Sequence, residues 1–224
     1  MTRQRLFLAI IVFILSVFLI GQGKDLNNLN VSCGEEGLKN LEIKKIEILG
    51  NPEASVLIEV YSDYKDAFGA RYFRETIMPI IDEYVNTGKA RLAYYNLAFE
   101  GQSSQVAAEA AHCANDQGKF WEYQREIFSE DYQNQKEIDI YNIENLQNIA
   151  KKIELDICEF RACLDSGKYT ELVKEKTRQG FIEKDINNTL TTFLNDKKIV
   201  DEQGQSLGAM SYNQLKEKIK IFIQ

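Results

Sequence analysis

Histidines and closely paired cysteines are scarce in this sequence, and their scarcity excludes several kinds of site. The chain has 224 residues with a single histidine and four cysteines, and no two cysteines stand in the CxxC spacing. A zinc site built on imidazole ligands has almost no support here, because it needs more than one histidine. From the side chains present we expect no metal and no cofactor.

An excess of positive charge is missing too. Lysine and arginine number 27 against 34 aspartate and glutamate residues, which gives a formal net charge of −7. Binding to nucleic-acid phosphates requires a basic face, so we expect no nucleic-acid partner. The composition, 44% hydrophobic and 27% charged, is typical of a globular protein, and the length suits one domain of moderate size.

Long apolar runs are absent except at the N-terminus. Arg3 and Arg5 precede an uncharged stretch over residues 6–21, which is short for a bilayer span and slightly long for the core of a signal peptide. The end of this stretch fits a signal-peptide cleavage site poorly. We therefore predict an uncleaved signal anchor over 1–23 that binds the membrane. A cleaved signal, with secretion of the chain, is the alternative.

The two arginines also predict the orientation of the chain. Positive residues flanking an anchor stay in the cytoplasm, so the remainder of the chain is expected outside the cytoplasm at the cell membrane. Residues 24–42, rich in asparagine, glycine and charge, are predicted to form a flexible stalk. Disulfides persist outside the cytoplasm. All four cysteines are therefore candidates for disulfide bonds: Cys33, Cys113, Cys158 and Cys163.

The hydrophobic pattern beyond the stalk alternates between strands and helices. Strands are predicted over 43–49, 55–61, 90–97, 191–194 and 198–200. Helices are predicted over 67–85, 211–222 and most of 102–180, with breaks near 118, 131–135 and 166–167. Pro79 should kink the first of these helices. The order is a βαβ unit, a helical insertion and a ββα unit, which predicts an α/β protein with a central mixed sheet flanked by helices.

Several strings along the chain resemble those of one protein family and occur in the same order. They lie at 50–54 and 58–64, at 107–114 and 117–122, at 160–167, and at 189–196 with Ser211 and Tyr212. Together they resemble the DsbA-like thioredoxin-fold family of bacterial extracytoplasmic disulfide oxidoreductases. The resemblance covers 43–222, and it implies a thioredoxin-like domain over that range with a helical domain inserted at about 102–180.

The strings that match the family surround a site that does not. In the family, a Cys-x-x-Cys motif opens the first helix, whereas this chain has Asp66, Ala67, Phe68 and Gly69 there. Thiol–disulfide exchange needs a thiolate with a lowered pKa and a second thiol that resolves the mixed disulfide. Neither Asp66 nor Gly69 can supply them. Instead, Asp66 is predicted to cap the helix, and we assign no catalytic residue to this site.

A second element of the family site is also lost. The resemblance implies a cis-proline opposite the redox motif, within a Thr-Pro dipeptide, but here the dipeptide is Thr189-Leu190. The chain's two prolines, Pro52 and Pro79, lie elsewhere. A trans bond is predicted at Leu190, because the cis form costs a non-proline residue about 3 kcal/mol. The two losses agree with a loss of redox function.

The surviving cysteines leave several pairings open. Some family members carry a second, structural disulfide, and the resemblance implies that Cys113 and Cys163 form it here, with two buried free thiols as the alternative. Cys33 and Cys158 either pair with each other or remain free. A redox pair among Cys113, Cys158 and Cys163 is a further alternative.

Three functions therefore compete. The favoured one is a redox-inactive protein that binds or scaffolds a protein or extended peptide in the thioredoxin groove. The second is a thiol–disulfide oxidoreductase that uses the remaining cysteines. The third is a structural protein of the cell envelope. Whether the chain is an enzyme thus stays open, although loss of the redox motif argues against it.

Overall fold

The computed structural model describes residues 42–46, 48–134, 140–186 and 189–223, without the side chains of 132–134. The predicted anchor, all of the predicted stalk except its last residue, and Cys33 lie outside these residues. Within the described ranges, none of the helices has the length and apolar character that a membrane span requires.

A five-stranded sheet of order β1-β3-β2-β4-β5 forms the centre of the fold. Its strands are β1 (Leu49–Gly50), β2 (Val56–Asp63), β3 (Ala90–Leu97), β4 (Thr191–Leu194) and β5 (Lys197–Lys198). Strands β2 and β3 pair in parallel, and every other neighbouring pair is antiparallel. This mixed sheet confirms the predicted fold class.

Strand β2 is central and almost entirely buried, as its run of apolar and β-branched residues predicts. It extends to Asp63, two residues beyond the predicted end. At the sheet edge, the predicted strand 43–49 shrinks to β1, because Ile43 and Ile48 are exposed and present no buried face. Strand β5 starts before position 198, since Asn195 and Asp196 both take positive φ and form a two-residue turn that resumes pairing at once.

Helix α1 follows β2 and changes its hydrogen bonding along its length. It consists of Gly69–Tyr72 (α), Phe73–Ile77 (π), Met78–Ile80 (α) and Ile81–Val85 (π). It starts two residues later than predicted, because residues 63–68 are occupied by tight turns. Pro79 has no N–H to donate, and the two π segments flank the short α segment that contains it.

In the described part of the helical insertion there are five helices: α2 (Gln102–Asp116), α3 (Phe120–Asn134), α4 (Ile143–Lys152), α5 (Ile157–Asp165) and α6 (Thr170–Glu183). The last helix, α7, spans Tyr212–Phe222. Sequence analysis missed the break between α4 and α5. The signal was Asp156, whose carboxylate accepts the backbone N–H groups of Cys158 and Glu159 and so caps α5.

Helices cover both faces of the sheet, as predicted. On one face, Ile58 and Val60 of β2 join the main core with residues of α1 and α7, such as Ile77 and Leu215. On the opposite face, a smaller cluster packs beside α6: Tyr61, Leu97, Ile186 and Phe193. Because β2 and β3 are parallel, their carboxyl ends lie side by side at the same end of the sheet. The candidate site begins in the turn that follows β2 at this end.

Candidate functional site

Asp63 fixes the turn that leads from β2 into the site. Its side chain is fully buried, and its carboxylate accepts four hydrogen bonds. The donors are the Ser104 hydroxyl at 2.6 Å and the backbone N–H groups of Phe99, Glu100 and Lys65 at 2.7, 2.9 and 2.9 Å. A buried carboxylate is tolerated only with such compensation. Sequence analysis gave Asp63 no role, although a carboxylate ending a buried strand was a signal.

Tyr64, the next residue, ties the same turn to the helical insertion. Its hydroxyl donates to Gln124 of α3 and accepts from the Asn96 amide at 3.0 Å. Its carbonyl accepts a hydrogen bond from the Tyr141 hydroxyl. Burial raises the pKa of Tyr64 well above its ordinary value, so its hydroxyl remains a neutral donor. The backbone entering the site is therefore held from two sides.

Asp66 connects the two degenerate elements. One carboxylate oxygen accepts the backbone N–H of Phe68 at 2.7 Å, and the other accepts the hydroxyl of Thr189. The predicted helix cap is wrong, because Phe68 occupies the N-cap position of α1 and no side chain caps that helix. Asp66 lies too early in the chain and closes a local turn instead. The structure thus brings Asp66 and Thr189 together, as the resemblance implies.

The backbone around Asp66 and Gly69 keeps the spacing of a disulfide site. A Cβ added to Gly69 would lie 3.6 Å from the Cβ of Asp66 and would meet no atom closer than 3.4 Å. Disulfide-bonded cysteines have Cβ atoms about 3.5–4.5 Å apart. The backbone at these two positions therefore has the spacing of a disulfide-bonded pair, although Gly69 has no side chain and neither residue carries sulfur.

The middle of the degenerate motif faces solvent. Ala67 is exposed, and Phe68 exposes 54% of its surface. The guanidinium of Arg71 lies 5.5 Å from the centre of the Phe68 ring. The site therefore exposes an aromatic ring beside the half-buried carboxylate of Asp66.

Leu190 lies in the segment that contacts Asp66 through Thr189, and its side chain is buried. The Thr189–Leu190 bond is trans, like every peptide bond in the described residues. Leu190 has a φ of 60° and is only 2% exposed, and its side chain joins the main core. The left-handed conformation costs a residue with a Cβ about 1–2 kcal/mol. Packing in the core holds the strained conformation in place.

A disulfide joins Cys113 of α2 to Cys163 of α5, with their Cα atoms 5.8 Å apart. Cys158 is disulfide-bonded as well and is therefore not free, while its candidate partner, Cys33, lies outside the described residues. No free cysteine occurs in the part of the chain that the structure describes. The cysteines that the structure describes therefore offer no free thiol near α1.

Comparison with known proteins gives consistent results. A family model described as thioredoxin matches residues 44–220. A probable disulfide bond formation protein D of Bacillus anthracis is 31% identical over 138 residues, covering 58% of this chain and 59% of the relative. The disulfide bond formation protein D of Bacillus subtilis (strain 168) is 25% identical over 182 residues, covering 80% of this chain and 77% of the relative. The chain thus spans about three fifths of the length of the B. anthracis relative.

Solved structures share the fold. The oxidised BdbD from Bacillus subtilis superposes with a TM-score of 0.65 at 21% identity, covering 79% of this chain and 91% of that one. The DsbA of Chlamydia trachomatis has a TM-score of 0.65 at 19% identity, covering 82% and 95%. The architecture described above is therefore that of these two proteins.

Proposed function

The chain belongs to the DsbA-like thioredoxin-fold family of disulfide oxidoreductases, and from this premise we propose that it is an extracytoplasmic, redox-inactive member. In place of thiol–disulfide exchange, it binds a protein or extended peptide at the site formed by Asp66, Phe68 and Thr189. The observation that carries this proposal is the pair Asp66 and Gly69, which stand at disulfide spacing without a sulfur atom between them.

The loss of redox activity follows from the chemistry of exchange. The attacking group must be a thiolate that forms a mixed disulfide, and a second thiolate must then release the product. A carboxylate at Asp66 forms no bond to sulfur that a second residue could resolve, and Gly69 has no side chain. Cys113 and Cys163 do not replace them, because the two are joined in a disulfide and Cys113 is buried.

A binding function is supported by what the site retains. The turn into α1 is fixed by buried hydrogen bonds to Asp63 and Tyr64, so the loop that would meet a partner has a defined shape. Phe68 places a large apolar surface at its centre. Thioredoxin-like sheets can bind extended segments through backbone and pocket contacts, and preorganised loops lower the entropic cost of such binding.

The extracytoplasmic location is supported by the sequence before residue 24 and by the disulfides. Arg3, Arg5 and the apolar stretch that follows them favour export with an anchor. The Cys113–Cys163 disulfide is of the kind that persists outside the cytoplasm. Alkaline phosphatase fused after Gln224 should be active in a bacterial host, since that enzyme folds only after export. An inactive, intact fusion would contradict the location.

Redox activity can be tested directly on the purified chain. We expect no acceleration of insulin reduction and no oxidation of a synthetic dithiol peptide above the uncatalysed rate. The B. subtilis disulfide bond formation protein D serves as the comparison. Turnover near that of the comparison protein would contradict the proposal, and a Cys113→Ala, Cys163→Ala variant would show whether the Cys113–Cys163 disulfide was responsible.

The binding role is tested at Phe68. Selection of displayed peptides against the full-length chain should give cysteine-free sequences whose binding is lost in Phe68→Glu. Ile221→Glu is the matched control, because Ile221 is 66% exposed and lies beside Phe222, whose ring contacts Lys197 at the opposite end of the sheet. Peptides that bind both variants equally, or no selected peptide at all, would contradict binding at this site.

A further inference from the structure

We infer that the site prefers a partner segment in which a basic residue, arginine above lysine, stands next to an apolar residue. This inference rests on the proposed function, because it assumes that the site binds an extended segment. The basic residue would pair with Asp66, and the apolar residue would pack on Phe68. No cysteine is needed in the partner.

The first observation is that the charge of Asp66 is not neutralised. Asp66 is half-buried, and both of its hydrogen-bond donors, the Phe68 amide and the Thr189 hydroxyl, are neutral groups. Within the described residues, no lysine, arginine or histidine nitrogen forms an ion pair with it. A partly desolvated carboxylate without a counter-ion attracts a cation more strongly than an exposed one does.

The second observation is that the cations nearest in sequence are engaged elsewhere. The ammonium of Lys65 donates to the Ser103 hydroxyl at 3.0 Å, which directs it toward the start of α2. The guanidinium of Arg71 lies over the ring of Phe68. An incoming basic side chain therefore meets the Asp66 carboxylate without displacing an existing ion pair.

The third observation concerns the remaining capacity of the two oxygens. Each Asp66 oxygen accepts one hydrogen bond from the contacts above, and a carboxylate oxygen can accept two. A guanidinium can donate two parallel hydrogen bonds to one carboxylate, whereas an ammonium acts as a point charge. This difference is the reason to expect arginine above lysine.

The neighbouring surface sets the second requirement. Phe68 is separated from Asp66 by a single residue and leaves more than half of its surface exposed. Aromatic rings at interfaces are frequent anchors, and the adjacent position in an extended partner would lie within reach of this ring. The combination of one carboxylate and one exposed ring therefore selects a basic–apolar pair of residues.

The experiment measures binding of four labelled, cysteine-free peptides to the full-length chain by fluorescence anisotropy. The peptides share one sequence with a phenylalanine, and the preceding residue is arginine, lysine, glutamine or glutamate. We expect the arginine peptide to bind about tenfold more tightly than the glutamine peptide, with lysine between them and glutamate weakest.

Variants assign this preference to the carboxylate. Asp66→Asn should bring the arginine and glutamine peptides to equal affinity, and Asp66→Lys should favour the glutamate peptide. Asp82→Asn removes the same charge from an exposed position near the far end of α1 and should leave the preference unchanged. Circular dichroism of each variant verifies that it is folded.

The outcomes separate this inference from the proposed function. Equal binding of all four peptides that is still lost in Phe68→Glu would overturn the charge preference and leave peptide binding at the site intact. A preference that persists in Asp66→Asn would also overturn the inference. Absence of binding by every peptide at about 1 mM would contradict the proposed function together with the inference.

Discussion

Asp66 and Gly69 stand where the family has its redox cysteines, and the backbone between them has the spacing of a disulfide. A Cβ at Gly69 would lie 3.6 Å from that of Asp66, within the range of disulfide-bonded cysteines. The turn before these two positions is held by hydrogen bonds to the buried carboxylate of Asp63. The backbone spacing at these two positions is therefore compatible with a cysteine pair.

This geometry predicts that Asp66→Cys with Gly69→Cys will form an intramolecular disulfide. Mass spectrometry of the purified double variant should show the loss of two hydrogen atoms relative to the reduced form, reversed by dithiothreitol. Either single variant should instead carry a free thiol that reacts with iodoacetamide. We expect only weak oxidation of a synthetic dithiol peptide by the double variant, because Leu190 still stands where the family has the cis-proline that lies opposite the redox motif. Two free thiols in the double variant under air would contradict the retained spacing.

At Leu190 the structure confirms the predicted trans bond and adds a left-handed backbone conformation. A proline there would complete the family dipeptide, but proline requires a φ near −65°, while Leu190 has a φ of 60° and a buried side chain. We predict that Leu190→Pro lowers the free energy of unfolding by more than about 1 kcal/mol, measured by urea denaturation. Leu190→Met, which keeps an apolar side chain of similar volume, should cost less. Unchanged stability of Leu190→Pro would mean that the segment rearranges to accept a proline.

Among the elements, those with a strong local pattern could be predicted from sequence. Strand β3, strand β4 and the start of α2 lie where the pattern placed them, because each combines apolar periodicity with a clear boundary. The start of α1 and the extent of β1 could not be predicted. The start of α1 depends on tight turns held by the buried carboxylate of Asp63. The extent of β1 depends on whether Ile43 and Ile48 pack against the rest of the fold, and both are exposed.

The same limit applies to the candidate site. The degenerate positions could be named from the resemblance, since they are defined by neighbours in the chain. The contact between Asp66 and Thr189 joins residues 123 positions apart, and the four donors to Asp63 include three from the segment after β3. Such long-range polar contacts leave little periodic signal, so their details appear only in the folded chain.

At the scale of the elements, the hydrogen bonds to Asp63 connect the end of β2 to the turn into α1 and to the start of α2. We predict that Asp63→Asn lowers the free energy of unfolding by about 2–4 kcal/mol, because an amide presents a donor to groups that are themselves donors and removes the charge that strengthens their bonds. Urea denaturation measures the change, with Asp82→Asn as the exposed control. A loss below that of the control would show that the four hydrogen bonds contribute little net stability.

For the whole molecule, the presence of a single histidine means that its titration can be separated from those of the carboxylates. The single histidine, His112, lies in α2 with its ring stacked on Tyr169 at 4.8 Å between centroids. Its Nδ1 is buried and accepts no hydrogen bond, and burial lowers its pKa to about 4, against a smaller opposite effect of Asp116. The folded chain therefore favours neutral His112 over the charged form that the unfolded chain adopts below about pH 6.5.

This depressed pKa predicts acid-sensitive stability. The unfolded chain binds a proton at His112 in the window between about pH 6.5 and pH 4 while the folded chain does not, so the free energy of unfolding should fall across that window as the pH is lowered. The loss attributable to His112 should approach about 3 kcal/mol at the lower end. Urea denaturation at intervals of pH measures it, and His112→Phe, which keeps a ring against Tyr169 and cannot titrate, should flatten the upper part of the window. Carboxylates contribute mainly nearer its lower end, because their ordinary pKa values lie close to 4. A slope between pH 6.5 and pH 5 that persists in His112→Phe would show that the buried imidazole is not its source.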